Sequence, residues 1–230
     1  MKIVISVGGS IIYGTNKNLD KNYIREISKF INKLQRGGNK IAIVTGGGEL
    51  AGDYIEIARE FNASEAFCDL IGIDISRMNA RILAIAIGDN AVIEPPKDFQ
   101  KAKEEMDNGR IVVMGGTHPG HSTDGVSALL AEYVNADLLI NATDVDGIYD
   151  KDPEMFKNAK LYDKISINKL LKMVQEKSIN AGEYKLIDML AVKIIQRSKI
   201  KTIFLNGRDI KNMQRAIEGN EFKGTMVIND

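Results

Sequence analysis

Three clusters of residues in this chain could do chemistry, and each follows a run rich in valine and isoleucine. Gly8-Gly9-Ser10 follows residues 2–7, Gly46-Gly47-Gly48 follows 40–45, and Gly115-Gly116-Thr117 follows 110–114. Glycine lets a backbone approach an anion closely, and the start of the next helix offers free N–H groups and the positive end of its dipole. One such turn accommodates one phosphate group. Three imply a long polyanionic ligand, or two phosphorylated ligands that meet. A single turn of this kind is often only structural, so the weight rests on there being three.

Two further segments carry polar chemistry. The third cluster runs on to Asp124 through Thr117, His118, Pro119, Gly120, His121, Ser122 and Thr123. Its hydroxyls, imidazoles and proline-stiffened backbone suit a base or a sugar. The plainer reading is a surface loop in which Ser122 or Thr123 caps a helix. A metal between His118 and His121 is a poor reading, because their spacing is three in a loop and Asp124 is the only obvious third ligand. After the run 137–142, Asp144, Asp146, Asp150 and Asp152 crowd into one loop. Such carboxylates can hold Mg²⁺ or position lysines, or else cap turns.

The elements that must position these groups follow from periodicity. Short β-rich runs predict strands at 2–7, 40–45, 91–93, 110–114, 137–142, 201–205 and 225–228. Helical spacing predicts helices over about 24–34, 48–61, 67–82, 98–108, 128–134, 166–176, 186–198 and 209–218. Strands alternate with helices, which predicts a mostly parallel sheet covered on both faces. In such a sheet all three glycine turns lie at the C-terminal edge, where open α/β folds bind ligands. No G-x-x-x-x-G-K-[ST] occurs. Gly46-Gly-Gly-Glu-Leu-Ala51 fits the dinucleotide pattern G-x-G-x-x-A. That unit needs a strand soon after its helix, whereas 64–87 has helical periodicity.

Composition narrows the class. Of 230 residues, 31 are Lys or Arg and 31 are Asp or Glu, so the formal net charge is zero, which argues against a dedicated nucleic-acid binder. The one cysteine, Cys68, cannot form an internal disulfide, which fits a reducing compartment. The first apolar run breaks at Gly8-Gly9, too early for a signal peptide, and residues 82–87 are far too few for a membrane span. A cytoplasmic protein is expected.

Taken together, the motifs resemble the amino acid kinase family over nearly the whole chain, and within it the archaeal uridylate kinases. The matching residues are Val7-Gly-Gly-Ser10, Gly46-Gly-Gly48, Phe67-Cys-Asp-Leu-Ile-Gly-Ile73 and Met114-Gly-Gly-Thr-His-Pro-Gly-His-Ser-Thr-Asp124. Thr143-Asp-Val-Asp-Gly-Ile-Tyr149, Asp152-Pro153, Ala181-Gly182 and Ile187-Asp-Met-Leu-Ala191 complete the set. The resemblance implies transfer of the γ-phosphoryl group of ATP to UMP, with Mg²⁺, in pyrimidine nucleotide biosynthesis. It implies a three-layer αβα sandwich forming one domain over 1–230, with about 1–140 serving the acceptor nucleotide and phosphates and about 141–230 serving ATP. A hexamer is common in this branch. Carried over by position, Gly9, Ser10, Gly48, Gly52, Thr143, Asp144, Tyr149 and Asp152 belong to the ATP site. Gly47, Asp69, Thr117, His118, Pro119, Gly120, His121, Ser122 and Thr123 belong to the UMP site, with Asp69 at the ribose hydroxyls.

Two cations familiar in the family are missing. Ser6 stands where many members have lysine, and Gly52 where archaeal relatives usually have arginine. Asp144 and Lys185 are the candidates for a catalytic role. Arg77 and Arg81 are further candidates for the missing charge, or else partners of Asp74. Alternative readings are another small-molecule kinase of this fold, or an oxyanion-storage protein of the same fold. Isopentenyl phosphate kinases typically have a histidine after the second glycine cluster, and residues 49–61 contain none.

Overall fold

The computed structural model describes residues 1–14, 18–177 and 187–229. Strand β1 (Lys2–Val7) lies at the centre of a seven-stranded sheet whose order is β3-β2-β1-β4-β6-β7-β5. The others are β2 (Lys40–Thr45), β3 (Val112–Met114), β4 (Leu138–Thr143), β5 (Lys164–Ser166), β6 (Thr202–Asn206) and β7 (Thr225–Ile228). The first five in that order are mutually parallel, β7 is antiparallel to β6, and β5 is parallel to β7. β1 and β2 are buried along nearly all of their length. Strands buried on both faces read as continuous apolar runs, which is why they were legible.

Helices cover both faces. On one, α2 (Lys21–Arg36), α4 (Glu65–Ile87) and α9 (Ile210–Glu218) share a core with Ile3, Ile5, Ile41, Ile43, Ile140 and Ile203. On the other, α5 (Phe99–Asp107), α6 (Thr123–Tyr133), α7 (Ile167–Lys177) and α8 (Met189–Ser198) pack on Val4, Val44, Met114, Leu139 and Phe204. This is the three-layer αβα arrangement. Two more helices start at glycine turns: α1 (Gly9–Ile12) after β1, and α3 (Gly48–Glu60) after β2, packed against α4.

The differences from the sequence reading are local. The strand expected at 91–93 is a single bridge from Ala91 to Ile111, and β3 starts two residues late, at Val112. Helix α6 begins five residues before Ala128, because Ser122 caps it by accepting the Gly125 N–H at 3.0 Å. β5 was unexpected. Its three residues run directly into α7, and so short a run has no period of its own. Among the described residues no helix is long and apolar enough to cross a membrane.

Candidate active site

The chain leaves β1 for β2 and β3 on one side and returns to β4 on the other. The order of strands therefore reverses between β1 and β4, and the crevice of an open α/β sheet opens at such a point. Gly8 N–H donates to Ala142 O across it at 3.0 Å. The first two glycine turns touch at this edge, and the third packs on α4, with the loop that follows it reaching Gly46 at Thr123. A Cβ added to Gly46 would fall 2.6 Å from Gly9 N and 3.5 Å from Thr123 Oγ1, and one added to Gly9 would fall 2.0 Å from Gly48 N. Gly48 has φ +67°, and its Cβ would meet the Tyr13 ring at 2.8 Å and Gly9 O at 2.9 Å. These glycines let one turn lie on the next before any ligand is considered.

The other expected residues lie on α3, on α4 and in the loops that follow β3 and β4. Gly47 caps α3. Thr117 is buried, and its Oγ1 has no hydrogen-bond partner among the described residues. A buried hydroxyl left unpaired is costly, so it is a ready contact for a ligand. His118, Pro119, Gly120, His121 and Ser122 are exposed in the loop that follows. Asp69, near the start of α4, ties that loop down by accepting the Gly120 N–H at 2.8 Å. Ser122 Oγ donates to Asp188, which caps α8.

Beyond β4, Thr143 Oγ1 accepts the Val145 N–H at 3.0 Å and so turns the chain. Asp144 is exposed, with no side-chain partner among the described residues. Tyr149 hydroxyl donates to Asp146 at 3.3 Å, and Asp146 pairs with Lys223 at 2.6 Å. Asp150 accepts the Lys160 N–H and Asp152 the Glu154 N–H, each at 2.8 Å. The Lys160 N–H hydrogen bond comes first among the causes that hold the Asp150 carboxyl below its usual range, with Lys151 and the Lys160 charge adding to it. Gly52 is exposed on α3, with nothing within 4 Å of the place its Cβ would take. Lys185 lies outside the described residues.

Sequence reasoning missed the group behind the turns. Ser6 and Asn141 are register partners on β1 and β4. Both donate to Asp124 Oδ1, at 3.3 and 2.9 Å. Burial, with Asp188 nearby, pushes the Asp124 carboxyl above its usual range, and the Asn141 and Ser6 hydrogen bonds oppose this. An aspartate in the first turn of a helix looks like routine dipole compensation, so only the strand register exposes it. The two arginines do not supply the missing charge in the way expected. Arg77 donates to Gly116 O at 3.0 Å and Thr117 O at 3.3 Å, bracing the third turn. Arg81 pairs with Glu94 rather than Asp74.

What the edge can do chemically follows from its atoms. The starts of α1 and α3 lie against each other at Gly9 and Gly48, and the buried Thr117 hydroxyl has no partner among the described residues. No cluster of three His, Cys, Asp or Glu that could hold a metal occurs among the described residues. This suits phosphate-bearing ligands aligned end to end. Comparison with known proteins agrees. A family model described as "Amino acid kinase family" matches residues 1–206. The chain is 46% identical to a uridylate kinase of Methanobrevibacter smithii over 228 residues, covering 99% of each. It superposes on the crystal structure of uridylate kinase from Archaeoglobus fulgidus with a TM-score of 0.88 at 44% identity, covering 99% of this chain and all of that one. A Bacillus anthracis UMP kinase structure, 23% identical with a TM-score of 0.80, shares the fold.

Proposed function

The chain belongs to the amino acid kinase family, and on that premise we propose that it is a uridylate kinase, transferring the γ-phosphoryl group of ATP to UMP to give UDP and ADP. The observation that carries the reading is the contact of the first two glycine turns at the sheet edge, with the third fixed on α4 and its loop tethered there by Asp69. Two phosphorylated ligands approaching from either side would meet there. The acceptor is a phosphate already ionised at neutral pH, so no general base is required. Catalysis reduces to alignment and stabilisation of charge.

The residues divide accordingly. Gly9, Ser10 and Gly48 contact the ATP phosphates through the backbone, and Thr143, Asp144, Tyr149 and Asp152 line the nucleoside side. Gly47 and Asp69 contact UMP, and residues 117–123 enclose the uracil. Residues 1–140 thus serve mainly the acceptor and the phosphates, and 141–230 serve ATP. Mg²⁺ takes most of its ligands from phosphates and water in such sites, which fits an edge with no dedicated acidic cage, and Asp144 is the carboxylate within the loop to hold it. When bound, it neutralises phosphate charge.

The enzyme works in the cytoplasm, in pyrimidine nucleotide synthesis, as a homo-oligomer of hexameric form. Tyr54 and Ile57 on α3, Phe61 just after it, and Phe67, Met78 and Ile85 on α4 are exposed apolar side chains. A patch of that kind supports assembly. An ADP-release assay across nucleoside monophosphates and small carboxylic acids tests the reaction. UMP should exceed CMP, AMP and GMP by a wide margin. Equal activity on AMP, or activity only on an acid, overturns it.

A further inference from the structure

We propose that Asn79 is a positioning residue for phosphoryl transfer, setting the peptide planes of the second glycine turn from α4. The proposal rests on the kinase reading above. Asn79 is 3% exposed, and its carboxamide is fully engaged. Its Nδ2 donates to Gly46 O at 2.8 Å and to Gly47 O at 3.3 Å. Its Oδ1 accepts from the Tyr13 hydroxyl at 3.0 Å. The reversed amide would set its oxygen against two carbonyls, so this orientation is the one the site permits.

The consequence follows from peptide geometry. Every peptide bond described is trans. In a trans peptide the carbonyl of one residue and the N–H of the next point to opposite sides. Drawing the Gly46 and Gly47 carbonyls toward α4 therefore turns the N–H groups of Gly47 and Gly48 away from it. The first turn lies on that side, since a Cβ on Gly9 would all but overlap Gly48 N. A run of three glycines has many accessible conformations, and a free peptide plane there could flip. Asn79 removes that freedom at the two donors assigned to UMP and ATP, so they are aimed before the ligands arrive.

The same turn of α4 also holds the third cluster. Ser76 Oγ accepts the Gly116 N–H at 2.8 Å, and Arg77 binds the carbonyls of Gly116 and Thr117. Three residues of one helical turn, Ser76, Arg77 and Asn79, thus fix both turns against one rigid element. Asn79 is the member of this set that acts on the second turn.

The test uses Asn79→Leu and Asn79→Asp in the full chain, with Tyr13→Phe for comparison. Asn79→Asp keeps the size and the acceptor for Tyr13 but loses both N–H donors. Its kcat should fall by about 10²-fold, the usual worth of one oriented transition-state donor. The KM for UMP should change far less. Because a protonated carboxyl regains one donor toward Gly46 O, its kcat relative to the parent should recover as the pH is lowered. Asn79→Leu should fall as far and show no such recovery. Tyr13→Phe leaves the donors in place and should cost little. Circular dichroism establishes that each variant folds, and the Asp variant decides alone if Leu does not. A folded Asn79→Asp protein with parental kcat, or with a pH profile parallel to the parent, overturns the proposal. A parent inactive on UMP would overturn the kinase assignment instead. Asn79 would then be judged by calorimetric binding of a non-hydrolysable ATP analogue, where unchanged affinity in Asn79→Asp counts against it.

Discussion

The glycine edge and the acidic loop behind β4 invert what their residue types suggest. The loop over 144–163 is dense in charge, yet three of its six carboxylates are occupied with folding it. Asp150 and Asp152 hold backbone N–H groups, and Asp146 holds Lys223 and Tyr149. The glycine edge has few side chains, yet backbone meets backbone there between the first two turns, and Thr117 Oγ1 has no partner among the described residues. A peptide N–H at the start of a helix has no partner within the helix and is available by construction. Charge density is therefore a poor guide to where this molecule acts.

The sharpest way to break that contrast is Gly9→Ala. The added methyl would fall 2.0 Å from Gly48 N, where both neighbours are backbone and neither can rotate away. The first and second turns must part, which misaims donors in both. A fall in kcat/KM of about 10²–10³ is expected, the range for losing an oriented donor. Circular dichroism should show the sheet retained. A folded Gly9→Ala protein with parental kcat/KM would mean that the contact between turns has no bearing on activity.

Asp124→Asn sharpens the contrast from the other side, since Asp124 is a carboxylate held at the glycine edge itself. Its folded-state pKa is raised, chiefly by burial. The ionised form is thus penalised by folding, and the penalty is absent below the unfolded-state pKa and fully present above the folded one. The Asp124→Asn protein should therefore melt higher than the parent at pH 7, with the gap closing as the pH falls into the carboxylate range. Activity should drop, because a destabilising group kept beside Ser6 and Asn141 is the usual sign of a working one. Thermal melts across pH and a UMP assay check both halves. Unchanged melting at pH 7 with full activity would reduce Asp124 to an ordinary helix-start residue.

The two regions were not equally legible in the sequence. Strands β1, β2 and β4 were found within a residue because strands buried on both faces are unbroken apolar runs, and the three glycine turns stood at the ends of β1, β2 and β3. Asp124 was invisible for the opposite reason. Its significance depends on Ser6 and Asn141 being register partners, and pairing between strands 135 residues apart in the chain has no local signature. Arg77 was misread because an arginine looks like free charge, while its guanidinium is committed to two carbonyls. Asn79 showed nothing in the sequence beyond a polar residue in a long helix.

A smaller effect is expected from Gly52→Arg, which returns the cation that the resemblance places here. The position is exposed and its Cβ would meet nothing within 4 Å, so the side chain enters without displacing anything. Glycine within a helix costs roughly 0.5–1 kcal/mol relative to alanine, so stability should rise by about that much. The guanidinium would stand one helical turn beyond the second glycine turn. A KM lower by up to about fivefold, the worth of an exposed charge pair, is expected for one substrate. Which substrate responds would show which ligand lies against α3, and no response from either would separate α3 from the phosphate path.

The smallest effect belongs to the acidic loop and is the direct counter-test. Asp150 is exposed and bonded to the Lys160 N–H, an interaction that closes the loop on itself and faces no glycine turn. Asp150→Asn keeps an acceptor for that N–H, so kcat and both KM values should stay within about twofold, as for an ordinary surface substitution. Stability should change in its pH dependence rather than its size. The lowered pKa of Asp150 makes its contribution present above the unfolded-state pKa and lost as the pH falls through the folded one. The variant lacks this titration, so its melting temperature should decline less steeply than the parent's on the acid side. A large loss of kcat in a folded Asp150→Asn protein would give the loop a chemical role that its hydrogen bonds do not leave room for, and would remove the distinction between the two regions.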